Sequence, residues 1–159
     1  MNKEALVKKI VAQLVEELER NQRAAQTAHA DATHEQSKAE NKYDTRGLEA
    51  SYLAHGQARQ MMEMESAIVA FENMDLRKFG AGDPICTGAL VELEHAGERT
   101  FYFIGSKSGG MEVMHEEQVV LVITPQSPLG TQLQGKKQGD FLQFPLAGAQ
   151  KQYRVMTVA

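Results

Sequence analysis

Apolar residues recur at helical spacing in the first part of the chain. From Lys3 to about Tyr43 there is no Gly or Pro, and Leu6, Ile10, Leu14 and Leu18 fall at every fourth position, one stripe of an α-helix. At ~1.5 Å per residue such a helix would be roughly 60 Å long. After Leu18 the inward positions become Ala25, Ala28, Ala32 and Ala39. A second helical pattern runs from about Thr45 to Met74, with a heptad-type repeat through Ala50, Ala54, Met61, Met64, Ile68 and Phe71. Alanine facing alanine lets helices approach closely. The pattern therefore predicts a long antiparallel helical hairpin, a coiled coil that is slender toward its reversal and thick at its base.

The reversal is Tyr43-Asp44-Thr45-Arg46-Gly47, where either Asp44 or Thr45 can cap the second helix. Counting back from it pairs the second helix with roughly Glu16 to Lys42. Leu6, Val7, Ile10, Val11, Leu14 and Val15 are then left without a partner, and require the C-terminal domain or a second copy of the chain to bury them.

Arg77 to Pro84, RKFGAGDP, is a breaker-rich joint. Beyond it the pattern changes to short β-like runs: Ala89 to Glu94, Thr100 to Ile104, Val119 to Ile123, Phe141 to Phe144 and Tyr153 to Val158. His95-Ala96-Gly97-Glu98 reads as a hairpin turn between the first two. Ser127 followed by Pro128 reads as an N-cap with Pro at the first helical position, so a short helix starts there. Gly109 to Gln118 reads as a loop. These observations predict an α+β chain: a helical hairpin over residues 1–76, a joint over 77–84, and over 85–159 a small, mostly antiparallel sheet with one short helix.

Composition narrows the function. A net charge of −4 at 159 residues gives no support to a protein that coats nucleic acid through bulk positive charge. The single cysteine, Cys86, has no intrachain disulfide partner, and the start MNKEALVKK has no apolar leader segment. No run approaches the ~18 to 20 apolar residues that span a bilayer. The expectation is a soluble, cytoplasmic protein with no membrane role.

Candidate chemistry gathers at the reversal, where Glu40, Asp44 and Glu49 alternate with Lys38, Lys42 and Arg46. The plain reading makes Asp44 an N-cap and Glu49 a helix-surface partner of Arg46. His29, Asp31, His34 and Glu35 contain metal-ligating types on one helix but lack a third element, which favours a solvated face. Arg20, Arg23, Lys38, Lys42, Arg46 and Arg59 could line a path for an RNA 3′ end, although acids alternate with them. Met61, Met62 and Met64 read as seam and flank packing. Cys86 has no His near it in sequence, and neither a phosphate loop nor a nucleophile elbow is present.

At Ile123 to Asp140 the sequence is ITPQSPLGTQLQGKKQGD, and it resembles the C-terminal domain of the bacterial Gre transcript-cleavage factors. That family carries Ser-Pro-(Ile/Leu)-Gly-x-x-Leu-x-Gly-Lys-x-x-Gly-Asp before its closing strands. Ser127, Pro128, Leu129, Gly130, Leu133, Gly135, Lys136, Gly139 and Asp140 match in order and without a gap. The hairpin, joint and β-rich order extends the resemblance over nearly the whole chain. At the reversal, Asp44-Thr45-Arg46-Gly47-Leu48-Glu49-Ala50-Ser51-Tyr52 is similar to the family's acidic tip with one residue inserted. One insertion turns a helical position by ~100°.

The resemblance implies an FKBP-like C-terminal domain that docks on RNA polymerase, here through Ser127, Pro128, Leu129, Gly130 and Leu133. It also implies a hairpin that enters the polymerase secondary channel. Asp44 and Glu49 would there help hold the polymerase's Mg²⁺, promote hydrolysis of backtracked RNA and meet the RNA 3′ end indirectly. Oxygen ligands suit hard Mg²⁺, which activates water near a phosphodiester. The chain would need no cofactor of its own and would assist an enzyme without being one. Three other readings stay open: a channel-binding regulator without cleavage, favoured by the inserted residue; a peptidyl-prolyl isomerase, which would need an aromatic-lined apolar pocket; and a generic coiled-coil interaction module. A homodimer is possible in any of them.

Overall fold

The structure is a computed structural model and describes residues 1–33, 46–146 and 149–159. In chain order the elements are α1 (Lys3–Thr33), α2 (Arg46–Glu72), β1 (Leu90–His95), β2 (Glu98–Ile104), β3 (Glu112–His115), β4 (Gln118–Ile123), α3 (Pro128–Leu133), β5 (Phe141–Leu146) and β6 (Ala149–Val158). The chain is α+β, as its pattern predicts. Two compact units are present, one of Met1–Val11 with Ala70–Ala159 and the other of Ala12–Val69. The linear boundaries expected at 76 and 85 therefore cut through a packed unit, because both ends of the hairpin belong with the sheet. The start of α1 and the end of α2 fall in that same unit, so the two helices run in opposite directions.

Within the second unit, Leu18, Asn21 and Ala25 of α1 and Gln57, Met61, Met64 and Ile68 of α2 are half-buried along one seam. Asn21 Nδ2 reaches Met64 Sδ at 3.5 Å across it. The expected alanine seam ends early. Ala25 is half-buried, but Ala28 and Ala54 are exposed. The side chains of Ala32, Ala39 and Ala50 lie outside the described residues.

The sheet order is β3-β4-β2-β1-β6-β5. It is mixed, which corrects the antiparallel expectation: β2 and β4 pair in parallel from Phe101↔Val120 to Ile104↔Ile123, while the other neighbours are antiparallel. The cause is β3, inside the stretch expected to be a loop. It runs back along the outer edge, and a tight turn returns β4 into the gap beside β2. With four residues and a histidine at one inward position, β3 has too short an alternation to read from sequence. Ala96 and Gly97 (φ 51° and 84°) make the expected turn between β1 and β2, and Glu116 and Glu117 (φ 49° and 63°) make the same kind of turn without glycine.

Both faces of the sheet are covered. On one, Val91, Leu93, Ile104, Ile123, Tyr153 and Val155 form a core with Leu129 and Leu133 of α3. On the other, Phe103, Val113, Val120 and Val122 are buried, and the Phe71 ring lies 6.4 Å from that of Phe103. Gly105 makes this approach possible, because a Cβ there would stand 2.9 Å from Phe71 Cζ. The leftover stripe of α1 resolves in the same unit: Leu6, Val7 and Ile10 are buried, and Val7 shares with Phe71 the wall of a groove of about 400 Å³. Hydrogen bonds fix these turns in place, from Lys9 Nζ to the Met114 carbonyl at 3.0 Å and from the Asn2 amide to Glu116 Oε1 at 2.9 Å. Each buried aliphatic contributes about 1.5–3 kcal/mol.

Candidate functional site

The segment from Thr124 to Asp140 is positioned by its own fixed residues. Ser127 caps α3: its Oγ accepts the Gly130 amide at 3.0 Å and donates to the Thr124 carbonyl at 2.8 Å. Pro128 holds the first helical position, where its missing N–H costs nothing. Gly130 must lack a side chain, since a Cβ there would overlap the Thr124 carbonyl oxygen at 1.9 Å. Gly135 takes φ 78° and donates its amide to Ile85, which donates to the Lys136 carbonyl in return. Gly139 (φ 92°) donates to the Val155 carbonyl, and Asp140 Oδ2 accepts the Lys137 amide at 2.8 Å.

Every residue of the motif thus has a folding task, and this changes which of them can face a partner. Leu133 is fully buried, Leu129 is 8% exposed, and Gly130 is buried. Those three expected docking residues are used inside the domain. Ser127 is half-buried by its capping bonds, and of the five only Pro128 is exposed. Gln126, Pro128, Thr131 and Gln132 form the outer surface of this segment.

Of the two tip acids, Asp44 lies outside the described residues, as do Lys38, Glu40 and Lys42. Glu49 is exposed in the first turn of α2, where the helix N-terminus favours a negative charge. Leu48 and Tyr52 beside it are 58% and 72% exposed. The structure therefore presents a carboxylate flanked by large apolar side chains at the start of α2.

Arg20, Arg23 and Arg59 are exposed, and Arg59 Nε holds Glu63 Oε1 at 3.1 Å. His29 is exposed, and no cluster of three metal-ligating side chains exists among the described residues, whereas His34 and Glu35 lie outside them. No helix among the described residues is long and apolar enough to cross a membrane. Phe103, one of the rings an isomerase pocket would need, is fully buried under Phe71 and unavailable to a ligand.

Sequence reasoning missed a polar group under the start of α1. His115 is 2% exposed, and neither ring nitrogen has a hydrogen-bond partner among the described residues; its Nε2 lies 3.3 Å from Glu116 Oε1. The Asn2 amide bond holds the Glu116 carboxyl below the usual carboxylate range. At the joint, Lys3 Nζ donates to the Arg77 and Gly88 carbonyls, and both Lys3 and Arg77 lie over the Phe79 ring, at 4.6 and 4.4 Å. Burial, then the Arg77 charge, pushes the Lys3 ammonium below its ordinary pKa. Only the charge pattern of MNKEALVKK and the position of His115-Glu116 hinted at these contacts.

No family model matches the chain, and no curated protein matches it significantly. Among solved structures, the chain is similar to GreA factor homolog 1 (Gfh1) of Thermus thermophilus, at 24% identity over 94% of each chain and a TM-score of 0.40. Thermus aquaticus Gfh1 gives 25% identity over 92% of each chain, with a TM-score of 0.40. The prokaryotic transcription elongation factor GreA/GreB from Nitrosomonas europaea gives 16% identity, covering 60% of this chain and 78% of that one, with a TM-score of 0.40. These neighbours are Gre-type factors.

Proposed function

We propose that this protein is a Gre-type transcription elongation factor that binds RNA polymerase and brings the start of α2 into the secondary channel. The observation that carries the reading is the uninterrupted match from Ser127 to Asp140 in a segment whose caps, glycines and buried leucines all build the domain. A folding pattern with that many fixed positions is a more specific likeness than a hairpin alone.

At the tip, Glu49 has the properties this task needs: a carboxylate in water, in the first turn of a helix. Together with Asp44 it would supply oxygen ligands beside the polymerase's own acids. The metal would activate water for hydrolysis of backtracked RNA. The chain's own contribution is to orient charge, and Leu48 and Tyr52 supply apolar surface that fixes the tip against protein.

A second reading is a regulator that occupies the channel without supporting cleavage. The residue inserted between Asp44 and Tyr52 favours it, because metal ligation does not tolerate an acid turned by ~100°. Both readings require polymerase binding. The full chain should co-purify with core polymerase, and Pro128→Asp with Thr131→Asp should abolish co-purification while leaving the circular dichroism spectrum unchanged. Equal recovery of wild type and the double variant would exclude this surface as the dock; no recovery of wild type would exclude both readings.

A further inference from the structure

Beside the joint, positive charge collects without an acid to balance it. Lys3 is half-buried, and its Nζ donates to the Arg77 and Gly88 carbonyls, neutral acceptors that leave its charge uncompensated. An ammonium has three N–H donors, so one remains. The Lys3 ammonium and the Arg77 guanidinium lie over the same Phe79 ring, at 4.6 and 4.4 Å from its centre, and Lys78 is their neighbour in the chain. Among the described residues, no carboxylate forms an ion pair with Lys3, Arg77 or Lys78. The ring attracts cations through its quadrupole but has no charge to cancel theirs. A charge withdrawn from water is normally paired. Here burial, then the Arg77 charge, holds the Lys3 pKa down, and the Asp75 carboxyl opposes this only weakly. These cations border a cavity: Lys3 and Lys78 line a space of about 410 Å³ with Leu76 and Phe79, and exposed Glu4 is the only acidic side chain in its wall. All of these residues belong to the unit that holds the sheet.

We propose that this cavity binds a small organic phosphate, with its phosphoryl oxygens on Lys3 and Lys78 and its apolar part against Leu76 and Phe79. The size fits, since sites for small ligands begin at about 300 Å³ and pair an apolar wall with a few polar groups. Charge selects the class. A phosphate monoester is close to a dianion at neutral pH and matches two lysines, where a single carboxylate does not. Arg77, over the same ring, adds a guanidinium whose planar fork suits phosphate oxygens. A dianion bound there offsets the repulsion between Lys3 and Arg77, so the charge that the fold leaves unpaired gains its partner from the ligand. The inference goes beyond the channel reading and does not rest on it.

The test titrates the full chain with phenyl phosphate, which joins a dianion to an apolar ring, at fixed ionic strength. Amide resonances should report saturable one-to-one binding, with shifts at Asn2 to Glu4 and at Leu76 to Phe79. Inorganic phosphate should bind more weakly, and phenol should not bind. Lys78 is exposed, so Lys78→Gln leaves the fold intact and should weaken phenyl phosphate about tenfold, the worth of one hydrogen bond between charged groups. Lys3→Met should weaken it at least as much, and Lys107→Gln, at an exposed position in the β2–β3 loop, should leave it unchanged. The Lys3 Nζ resonance should titrate at higher pH in the complex than in the unliganded chain. The absence of saturable binding would overturn the proposal. Binding indifferent to Lys78→Gln, an equal loss in Lys107→Gln, or phenol binding as tightly as phenyl phosphate would overturn it as well. Polymerase takes no part in the experiment, so failure of the channel reading leaves these outcomes unchanged.

Discussion

The ring of Phe71, near the end of α2, lies 6.4 Å from the ring of Phe103 in β2, tilted by 33°, and both side chains are buried. This pair joins the last turn of the hairpin to the sheet. Phe71→Ala should destabilise the chain by about 3–5 kcal/mol, the cost of losing a large core ring and leaving a cavity. Gly105→Ala should also destabilise it, since the added methyl meets Phe71 Cζ and Val122 Cγ1 at about 3 Å. Chemical denaturation of both variants checks the assignment, and an unchanged midpoint for either would contradict it.

Leu6 and Ile10 are fully buried within the unit that contains the sheet. Replacing either with Asp buries an unpaired charge or frees the first turns of α1. Hydrogen exchange over residues 3–11 should accelerate by orders of magnitude, while exchange in β1 and β6 changes less. Uniform protection in the variants would show that these residues are not anchored as described.

Much of this was legible because it follows from periodicity. The stripe from Leu6 to Leu18 fixed a helix, and its excess over the partner helix required a further surface, which the unit holding the sheet provides for Leu6, Val7 and Ile10 but not for Val15, which is exposed. Ser127-Pro128 marked α3 to the residue, because a cap and a first-turn proline leave little alternative. The rest depended on partners distant in sequence. Neither the parallel pairing of β2 with β4 nor the strand at Glu112–His115 has a local signature, since β3 is short and its inward His115 breaks the apolar alternation. The resemblance offers Leu129 and Leu133 only as docking residues, and the fold shows that they face the core.

Glu116 should make the anchoring of the N-terminus pH-dependent. Its folded pKa is depressed, chiefly by the Asn2 amide bond. The stabilisation is therefore complete above the ordinary carboxylate pKa and is lost as pH falls through the lower folded value. Thermal denaturation of wild type and Glu116→Gln should differ at neutral pH and converge in acid. A constant difference across that window would contradict the linkage.

The cap of α3 gives a smaller, local prediction. Ser127→Ala removes the acceptor of the Gly130 amide and should cost about 1 kcal/mol. Gly130→Ala should cost more, because the Thr124 carbonyl must move. Thermal denaturation that ranked Ser127→Ala as the more damaging would reverse this account of the motif.

The central claim is that the acids beside the reversal act in another enzyme's site, and it is tested most directly on stalled, backtracked polymerase complexes carrying end-labelled RNA. Glu49 is exposed, so Glu49→Gln should shift stability by no more than about 0.5 kcal/mol. Wild type should shorten the RNA. Glu49→Gln and Asp44→Asn should bind polymerase as wild type does yet cleave at least tenfold more slowly, with the deficit larger at low Mg²⁺. Binding without cleavage by the wild type at any Mg²⁺ concentration, with elongation slowed equally with or without both acids, would contradict the claim and leave the channel-occupying regulator.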